Sequence, residues 1–415
     1  MPKQAPVYLS APGLLCCAGG KGERFFDAAQ RGDRRGIVPI SLPGGSPPDS
    51  PGGRSFLAGR IPGDFFPSAG DTGAREGPRI FRIADAALEQ IRPEIEQVVA
   101  AYGPDRVGVC VGSCDNGSEL SLEAHGVYFT TGRFPENYAL RYQGAAYPAE
   151  YIARRFGLTG PVLGVSTACA SGAGAVSQGA VLIRGGFCDA VIAGGVDVLS
   201  RTVLLGFDSL EAVSDAPCNP FSKNRKGITL GEGAAFFVLS RESLGIPIAL
   251  LGAGESADAF HITAPRPDGE GAIRAMREAL AAAGIGPGDV GYINLHGTGT
   301  PLNDAMEALA VAAVFPDAAA GPPVSSTKAI TGHTLGAAGA LELALCWLAL
   351  SYAAEAPGVD RRLLPVHVWD GVYDDGLPRL RFAGGDTALG GLRICMSNSF
   401  AFGGCNISLI IGRED

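Results

Sequence analysis

The sequence predicts an α/β protein built on a mostly parallel sheet, and three observations support this fold class. Strand, helix and strand follow one another in both halves of the chain, and parallel strands need such crossover helices. Hydrophobic residues make up 46% of the 415 residues and charged residues 18%, as in globular proteins. The 61 glycines show no triplet period, so they indicate tight turns and close backbone approaches rather than a collagen-like fibre.

The first quarter of the chain predicts a loop, a helix and a strand. The segment from Ser41 to Gly53 is made of turn residues without an apolar period, which is typical of a surface loop. From Ile80 to Ile91 apolar residues recur at helical spacing, and Pro93 interrupts this amphipathic helix. "RVGVCVG" is then a continuous apolar run, which predicts a buried strand.

The middle of the chain is the most regular part and predicts a β-α-β unit. "PVLGVSTA" is a strand, Cys169 to Arg184 a helix of small residues, and "DAVIAGGVDVL" the returning strand. The later elements are, in order, the strand "ALLGAGESAD", the helix "GAIRAMREALAAAGI", the strand "GYINLHGTGT", a helix from about Asn303 to Val314, the strand "PVSST", a long helix after Gly336 and two strands in "RICMSNSFAFGGCNISLII".

The recurring β-α-β order indicates an internal duplication. The order breaks near "SRESLGIPIALLGAG", although the residues themselves show no obvious self-similarity. Residues 1–250 and 251–415 are therefore predicted to be the two halves.

The net charge limits the classes of partner, and the positions of the cysteines indicate the cellular compartment. The net charge is −9 and no run of Lys or Arg occurs, which argues against nucleic acid. Most of the ten cysteines lie in apolar runs, such as Cys110 and Cys395, where buried reduced thiols are typical. A chain of this length with such thiols indicates a reducing cytoplasm.

Two segments resemble membrane signals, and neither predicts an anchor. The N-terminal "VYLSAPGLLCCAGG" is similar to a lipoprotein export signal, but Pro12 and Gly13 interrupt its apolar region. The run "LGAAGALELALCWLALSYAA" approaches membrane-spanning length. Because it contains Glu342 and is rich in Ala and Gly, we interpret it as a buried helix.

Cys169 is the first candidate for chemistry. A thiol at the start of a helix meets the positive end of the helix dipole, which favours the thiolate. Its small neighbours in "STACASG" would let a substrate approach the sulfur and let the backbone bend sharply before it. Taken alone, a small inert cysteine in a helix rich in alanine explains the segment as well.

Two of the five histidines lie, like Cys169, between a predicted strand and a predicted helix. His296 lies in "NLHGTGTPLND" and His333 in "SSTKAITGHTLGAAG", each after a predicted strand and before a predicted helix. Active sites of α/β proteins gather at that end of the strands. The other three, His125, His261 and His367, lack these flanks and are predicted to be structural.

Metals and nucleotides are not predicted. The chain has no CxxC or HxxxH pair, and Cys16 and Cys17 are adjacent, so a zinc site is improbable. The glycine-rich segments "GAGES" and "AGGVD" lack the G-x-G-x-x-G pattern, and no phosphate-binding loop occurs. We therefore expect no cofactor. In "SNSFAFGGCN", Gly403 and Gly404 would allow a bend that aims N–H groups at a developing oxyanion, although an ordinary hairpin bend would use the same glycines.

Taken together, "VSTACASG", "HGTGTPLND" and "SSTKAITGHTLGAAG" resemble the β-ketoacyl-[acyl-carrier-protein] synthases, the elongating condensing enzymes of the thiolase superfamily. "GEGAAFFVLSRE" and "MSNSFAFGGCN" extend the likeness over nearly the whole chain after the first 40 residues. The resemblance implies a duplicated thiolase fold with five layers, α-β-α-β-α, usually in a homodimer. It also implies an acyl carrier protein as partner.

The resemblance also implies a role for each matching residue. Cys169 would accept an acyl group from a carrier thioester, and the enolate formed when malonyl-carrier protein loses CO2 would attack it. His296 and His333 would stabilise that enolate. The implied supporting residues are Lys328, its partner Glu342, and Phe400. Phe402 would be the gate of the acyl pocket. The N–H groups of Phe402 and Cys169 would form the oxyanion hole.

The chain departs from the family pattern at two places. Ala401 stands where the family has glycine, which bears on the mobility of that loop. In "PFSKNRKG", Ser222 and Lys226 stand where the family has acids. The added positive charge of Lys223, Arg225 and Lys226 would suit an acidic carrier protein, and a solvated loop is the alternative.

Several functions remain open on the sequence. The chain could serve fatty-acid elongation or a specialised aryl-polyene or polyketide pathway, as a homodimer or beside a related ketosynthase or chain-length factor. A non-catalytic chain-length factor would lack the nucleophile. A degradative thiolase would carry a GHP-type histidine and a second catalytic cysteine. Synthases that start from acyl-CoA pair histidine with asparagine, so His333 favours elongation.

Overall fold

The computed structural model describes residues 6–42, 55–66, 78–136, 138–355, 364–388 and 390–414. Most of the predicted surface loop between Ser41 and Gly53 lies outside these residues. Ser41 itself is the last residue of a strand.

Fourteen strands are present in the described part of the chain. They are β1 Val7–Leu9, β2 Gly13–Cys16, β3 Ile37–Ser41, β4 Ser55–Gly59, β5 Val107–Gly112, β6 Val162–Val165, β7 Ala190–Asp197, β8 Leu230–Gly231, β9 Gly233–Ser240, β10 Ile248–Ala257, β11 Tyr292–Asn294, β12 Val324–Ser325, β13 Ile394–Phe400 and β14 Cys405–Arg413.

Eleven α-helices accompany these strands in the same described ranges. They are α1 Gly22–Arg31, α2 Arg79–Leu88, α3 Arg92–Tyr102, α4 Ser118–Thr131, α5 Tyr147–Phe156, α6 Ser171–Arg184, α7 Arg201–Ser209, α8 Glu270–Ala283, α9 Pro301–Val314, α10 Lys328–Thr331 and α11 Ala338–Glu355.

The main sheet repeats one pattern of five strands. Its order is β12-β11-β13-β14-β10-β1-β9-β7-β5-β6. In the first half β5 pairs in parallel with β6 and β7, while β9 runs antiparallel to β7 and β1. In the second half β11 pairs in parallel with β12 and β13, while β14 runs antiparallel to β13 and β10. We propose that the two sets are copies of one unit, joined where β1 pairs with β10.

Helices lie between the two sets of strands and outside them. Helices α6 and α11 pack on each other in the centre, where the largest apolar cluster takes residues from both halves. Helices α2, α3 and α5 cover the outer side of the first set, and α8 and α9 that of the second. The glycines and alanines of α6 allow this central layer to pack closely; a Cβ on Gly172 would lie 2.7 Å from the carbonyl oxygen of Gly336.

Two predicted boundaries need correction. Pro93 does not end the amphipathic helix: α2 ends at Leu88, a 3₁₀ turn follows, and Pro93 lies in the first turn of α3, where a missing N–H costs nothing. The small-residue helix begins at Ser171, and Cys169 lies in the preceding 3₁₀ turn Ala168–Ala170.

One segment of the described chain, Leu335–Ala354, is long and apolar enough to cross a membrane. Of its most apolar window, 83% is buried inside the protein, and the segment contacts α6, α1 and β13. The prediction of a buried core helix is confirmed.

Candidate active site

A cavity of about 350 Å³ opens at the carboxyl ends of the parallel strands. Cys169, His296 and His333 lie at its buried inner end, and each follows a strand, respectively β6, β11 and β12. Leu210 and Leu302, which are exposed, lie at its rim. The topology therefore brings together three residues that lie far apart in the sequence.

The thiol of Cys169 is presented on a sharp turn. Ala168, directly before it, has a φ of 49°, a left-handed conformation that is uncommon for any residue with a Cβ. The Ser171 hydroxyl donates to the Ala168 carbonyl at 2.6 Å and accepts from the Thr167 N–H at 2.9 Å, which holds the turn. The sharp bend before the cysteine, predicted from its small neighbours, is present.

The two histidines converge on this sulfur. The His333 Nε2 lies 3.0 Å from the Cys169 Sγ. One nitrogen of each imidazole and the sulfur all lie within 4.8 Å of one another. The ring of Phe400 is edge-on to His296, with 6.4 Å between the ring centres, and it helps to line the cavity.

Lys328 and Glu342 form a buried ion pair beside His296. The Lys328 ammonium also donates to the His296 carbonyl and lies 3.3 Å from its Nδ1. Because an ammonium group can only donate, Nδ1 must accept, and the imidazole proton of neutral His296 is placed on Nε2. The lysine therefore fixes the His296 tautomer.

Burial dominates the electrostatics of the three reactive groups. It raises the pKa of Cys169 to about 12, although Lys328 and the Phe402 N–H oppose the rise. The expectation that the helix start lowers this pKa is therefore wrong for the resting site, since loss of hydration outweighs the dipole. Burial and the positive charge of Lys328 lower the pKa of His296 and of His333 well below 6.5. The resting site holds a thiol and two neutral imidazoles.

The glycine-rich loop faces the same sulfur. Gly403 and Gly404 have φ values of 82° and 75°, so both occupy the left-handed region that glycine was predicted to supply. The Phe402 N–H lies near the Cys169 sulfur and lowers the pKa of its thiol, and the Phe402 ring packs on Phe207 at 5.7 Å between centres. Ala401 has a φ of −104°, so alanine fits there without backbone strain.

The three basic residues proposed for docking are not equivalent. Lys223 and Lys226 are exposed, and Lys226 lines the cavity. The Arg225 guanidinium instead donates to Asp374 at 2.6 Å and to the Ser222 carbonyl at 2.9 Å, with its side chain largely buried. Arg225 therefore stabilises the loop and offers little charge to a partner.

Two buried acids that support the site were missed by the sequence reasoning. Glu307 accepts the N–H groups of His296 and Gly297 at 2.8 and 2.7 Å. Asp197, at the end of β7, accepts N–H groups from loops of both halves. A single acid at the carboxyl end of an apolar strand, as in "AGGVD", was the available signal for Asp197.

The thiol and the two imidazoles also have the ligand types of a metal site. A metal ligand must offer a free lone pair. In the tautomer that Lys328 favours, the Nε2 of His296 carries a proton, so this ligand set would have to rearrange to hold an ion.

Comparison with known proteins assigns both parts of the chain to one family. Family models for the N-terminal and C-terminal domains of β-ketoacyl synthases match residues 80–244 and 249–360. Nodulation protein E of Rhizobium meliloti is 37% identical over 73% of this chain and 75% of its own length. The 3-oxoacyl-[acyl-carrier-protein] synthase 2 of Staphylococcus aureus (strain COL) is 32% identical over 81% of this chain and 82% of its own.

Among solved structures, a chain of the complex titled ketosynthase (ApeO) with its chain length factor (ApeC), from Xenorhabdus doucetiae, is similar along its full length. It has a TM-score of 0.87 and 38% identity, and the match covers 99% of this chain and 98% of that one. The likeness confirms the predicted thiolase fold with its five alternating layers.

Proposed function

Because the chain belongs to the β-ketoacyl synthase family, it is a condensing enzyme of fatty-acid or polyketide-type elongation, and we propose that Cys169 carries the growing acyl chain. The observation that carries this proposal is the convergence of the Cys169 Sγ, the His333 Nε2 at 3.0 Å and the Phe402 N–H at the inner end of one cavity. Covalent catalysis divides carbon–carbon bond formation into acylation and condensation.

In the first step, Cys169 exchanges its proton for an acyl group. The sulfur attacks the carbonyl carbon of the incoming thioester, and the N–H groups of Cys169 and Phe402 bind the oxyanion. Because burial raises the thiol pKa to about 12, the proton leaves as the bond forms and passes directly to the departing carrier thiolate. The His333 Nε2–H, 3.0 Å from the sulfur, stabilises the negative charge that develops there.

In the second step, the histidines stabilise negative charge. Loss of CO2 from a malonyl thioester leaves an enolate, whose oxygen accepts N–H bonds from His296 and His333. Neutral imidazoles suit this task because they donate without a proton being transferred. The enolate carbon attacks the acyl-cysteine, and the tetrahedral intermediate collapses to the β-ketoacyl thioester and the Cys169 thiolate, which takes up one proton from solvent water. Lys328, paired with Glu342, holds His296 in the donating tautomer.

The delivering partner in this proposal is an acyl carrier protein, as in the name of the staphylococcal relative. Exposed Lys223 and Lys226 are the candidates for contact with its acidic surface. Phe402, packed on Phe207 at the cavity wall, would have to move for the acyl chain to pass, and we propose it as the gate. All ten cysteines are free of disulfide bonds, which supports a cytoplasmic location.

An exposed apolar surface supports pairing with a second subunit. Six large apolar side chains are solvent-exposed along α4 and the segment after it, and Phe129 and Leu140 are 80% and 75% exposed; we name this set the α4 face: Leu122, Val127, Tyr128, Phe129, Phe134 and Leu140. Strand β6 ends the main sheet nearby and pairs on one side with β5. Such patches and open edges are usually covered.

We propose that the occupant of the α4 face is a related ketosynthase-like chain, either a second copy or a chain-length factor like the partner of ApeO. The 38% identity to a chain of a ketosynthase–chain length factor complex supports a specialised pathway that uses such a pair over general fatty-acid elongation, and we propose an aryl-polyene or polyketide-type pathway. Cys169 and both histidines are in place, which supports the catalytic member of such a pair.

Mass spectrometry of the intact protein tests the acyl-enzyme. After incubation with a panel of acyl-carrier proteins, we expect a mass gain equal to one acyl group for the unchanged protein and none for Cys169→Ala. Cys188→Ala, which removes a thiol at the amino ends of the strands beside Arg106, is the control and should still be acylated. Failure of Cys169 to be labelled by any carrier would favour a non-catalytic chain-length factor.

Sedimentation tests the pairing surface. Phe129→Glu combined with Leu140→Glu should convert the dimer, formed alone or with a related chain, into monomer, because two charges would be buried unpaired at the interface. Phe187→Glu is the control, since this exposed side chain lies near Arg106 at the amino ends of the strands. A double variant that remains fully dimeric would contradict the assignment of the α4 face.

A further inference from the structure

We infer that Asp197 is a positioning residue that holds the turn carrying His333 against the half of the protein that carries Cys169. The inference rests on the proposed function, since it concerns how the decarboxylating histidine is kept in place. Asp197 is the last residue of β7 and is 1% exposed. No step of the proposed reaction uses it directly.

The carboxylate of Asp197 joins two loops from different halves of the fold. One oxygen accepts the Ser113 hydroxyl and the Asp115 N–H, both at 2.9 Å. The other accepts the Cys114 N–H at 2.9 Å and the Gly336 N–H at 2.6 Å. Residues 113–115 follow β5, whereas Gly336 lies three residues after His333, in the turn that opens α11. The acid is therefore a hydrogen-bonded link between the halves.

The surrounding backbone is packed tightly around this link. A Cβ on Gly336 would lie 2.6 Å from the Asp197 carboxylate and 2.7 Å from the Cys114 nitrogen. A Cβ on Gly195, two residues before Asp197, would lie 2.8 Å from the Gly336 carbonyl oxygen. All three distances are below normal van der Waals contact, so glycine is needed at both positions.

The turn that Asp197 holds is a strained one. Leu335, between His333 and Gly336, has a φ of 52°, which is unfavourable for a residue with a branched side chain. Strained residues persist when their surroundings fix them. The Gly336 N–H, which donates to Asp197 at 2.6 Å, belongs to the residue next to Leu335, so loss of this bond would let the turn relax and move His333.

The turn of Cys169 is held by other contacts. Its bend depends on the Ser171 hydroxyl, which bonds Ala168 and Thr167, and on the close approach of Gly112 to Ser171. Loss of the Asp197 link should therefore displace His333 more than the sulfur. The two half-reactions should respond differently, because acylation depends chiefly on the sulfur and decarboxylation on the imidazoles.

Asp197→Asn tests this, because asparagine keeps the shape but turns one acceptor atom into an NH2 group that faces backbone N–H donors. We expect CO2 release from malonyl-carrier protein to fall about 10- to 100-fold, the range for displacements near 1 Å. The rate of Cys169 acylation, measured by intact-protein mass spectrometry, should change less than about 3-fold. The ratio of the CO2-release rate to the acylation rate should therefore fall. Asp189→Asn is the matched control, since Asp189 precedes the same strand at its other end and pairs with Arg106.

The outcomes separate the alternatives. An equal fall of both rates in folded Asp197→Asn, or no change in either, would overturn the inference. If that variant does not fold, Ser113→Ala, which removes one of the bonds to the carboxylate, provides the test and should shift the ratio in the same direction by a smaller factor. Absence of both half-reactions in the unchanged protein would contradict the proposed function itself.

Discussion

Replacement of either His296 or His333 by alanine is expected to abolish condensation while Cys169 continues to accept acyl groups. Decarboxylation needs a stabilised enolate, and each imidazole supplies one N–H donor in a buried, low-dielectric site. Removing one such donor costs roughly 10²- to 10³-fold in rate. The double variant should lose all measurable CO2 release, because both imidazole donors to the enolate oxygen are then absent.

The measurement separates the half-reactions. CO2 release from malonyl-carrier protein and the intact mass of acylated enzyme should be followed in parallel for both variants. His125→Ala is the control, since His125 lies on α4 and bonds the Ser121 carbonyl away from the cavity. His333→Ala should also slow acylation moderately, because its Nε2 is 3.0 Å from the sulfur, whereas His296→Ala should not. A variant that keeps full decarboxylation would disprove the role of that histidine.

The lowered pKa of both histidines sets the sign of the pH dependence. An ordinary histidine is half protonated near pH 6.5, and protonation would replace the neutral donors by cations. Since burial and Lys328 lower both pKa values well below 6.5, the NMR signals of the His296 and His333 rings should not titrate as the pH falls from 8 to 6. A titration of either ring centred near 6.5 would indicate that these imidazoles are hydrated and not enclosed as described.

Much of the fold and the reactive trio could be predicted from local patterns. The strand that ends before Cys169, and the strands that end before His296 and His333, are visible as apolar runs followed by small or polar residues. The rule that α/β sites gather at strand ends then brings the three together. Gly403 and Gly404 also had a local signal, because positive φ is a property of glycine itself.

The missed features depend on contacts between distant segments. Asp197 and Glu307 are single acids whose role comes from backbone N–H groups that only the fold brings to them. The pKa of Cys169 was predicted in the wrong direction because the helix dipole can be read from the sequence, whereas burial of the thiol cannot. Arg225 could not be distinguished from Lys223 and Lys226 until its bond to Asp374 was known.

Breaking the Lys328–Glu342 pair is expected to lower both the free energy of unfolding and the activity. A double variant that removes both charges separates these two effects. Both side chains are buried and contact each other. Lys328→Met or Glu342→Leu alone leaves one buried charge without its partner, which typically costs about 3–5 kcal/mol. The double variant removes both charges, and apolar replacement of a buried pair is often neutral for the free energy of unfolding.

Activity should not return with stability. Lys328→Met removes the donor that fixes the Nδ1 of His296 as an acceptor, so the donating tautomer loses its support in the double variant as well. We expect the double variant to unfold in denaturant at nearly the same free energy as the unchanged protein, yet to release CO2 at least about 10-fold more slowly, as for loss of a group that orients a catalytic histidine. Alkylation of Cys169 by iodoacetamide reports whether the cavity is still formed. If CO2 release recovers together with stability, the pair is only a structural element of the core, and the role assigned to Lys328 is wrong.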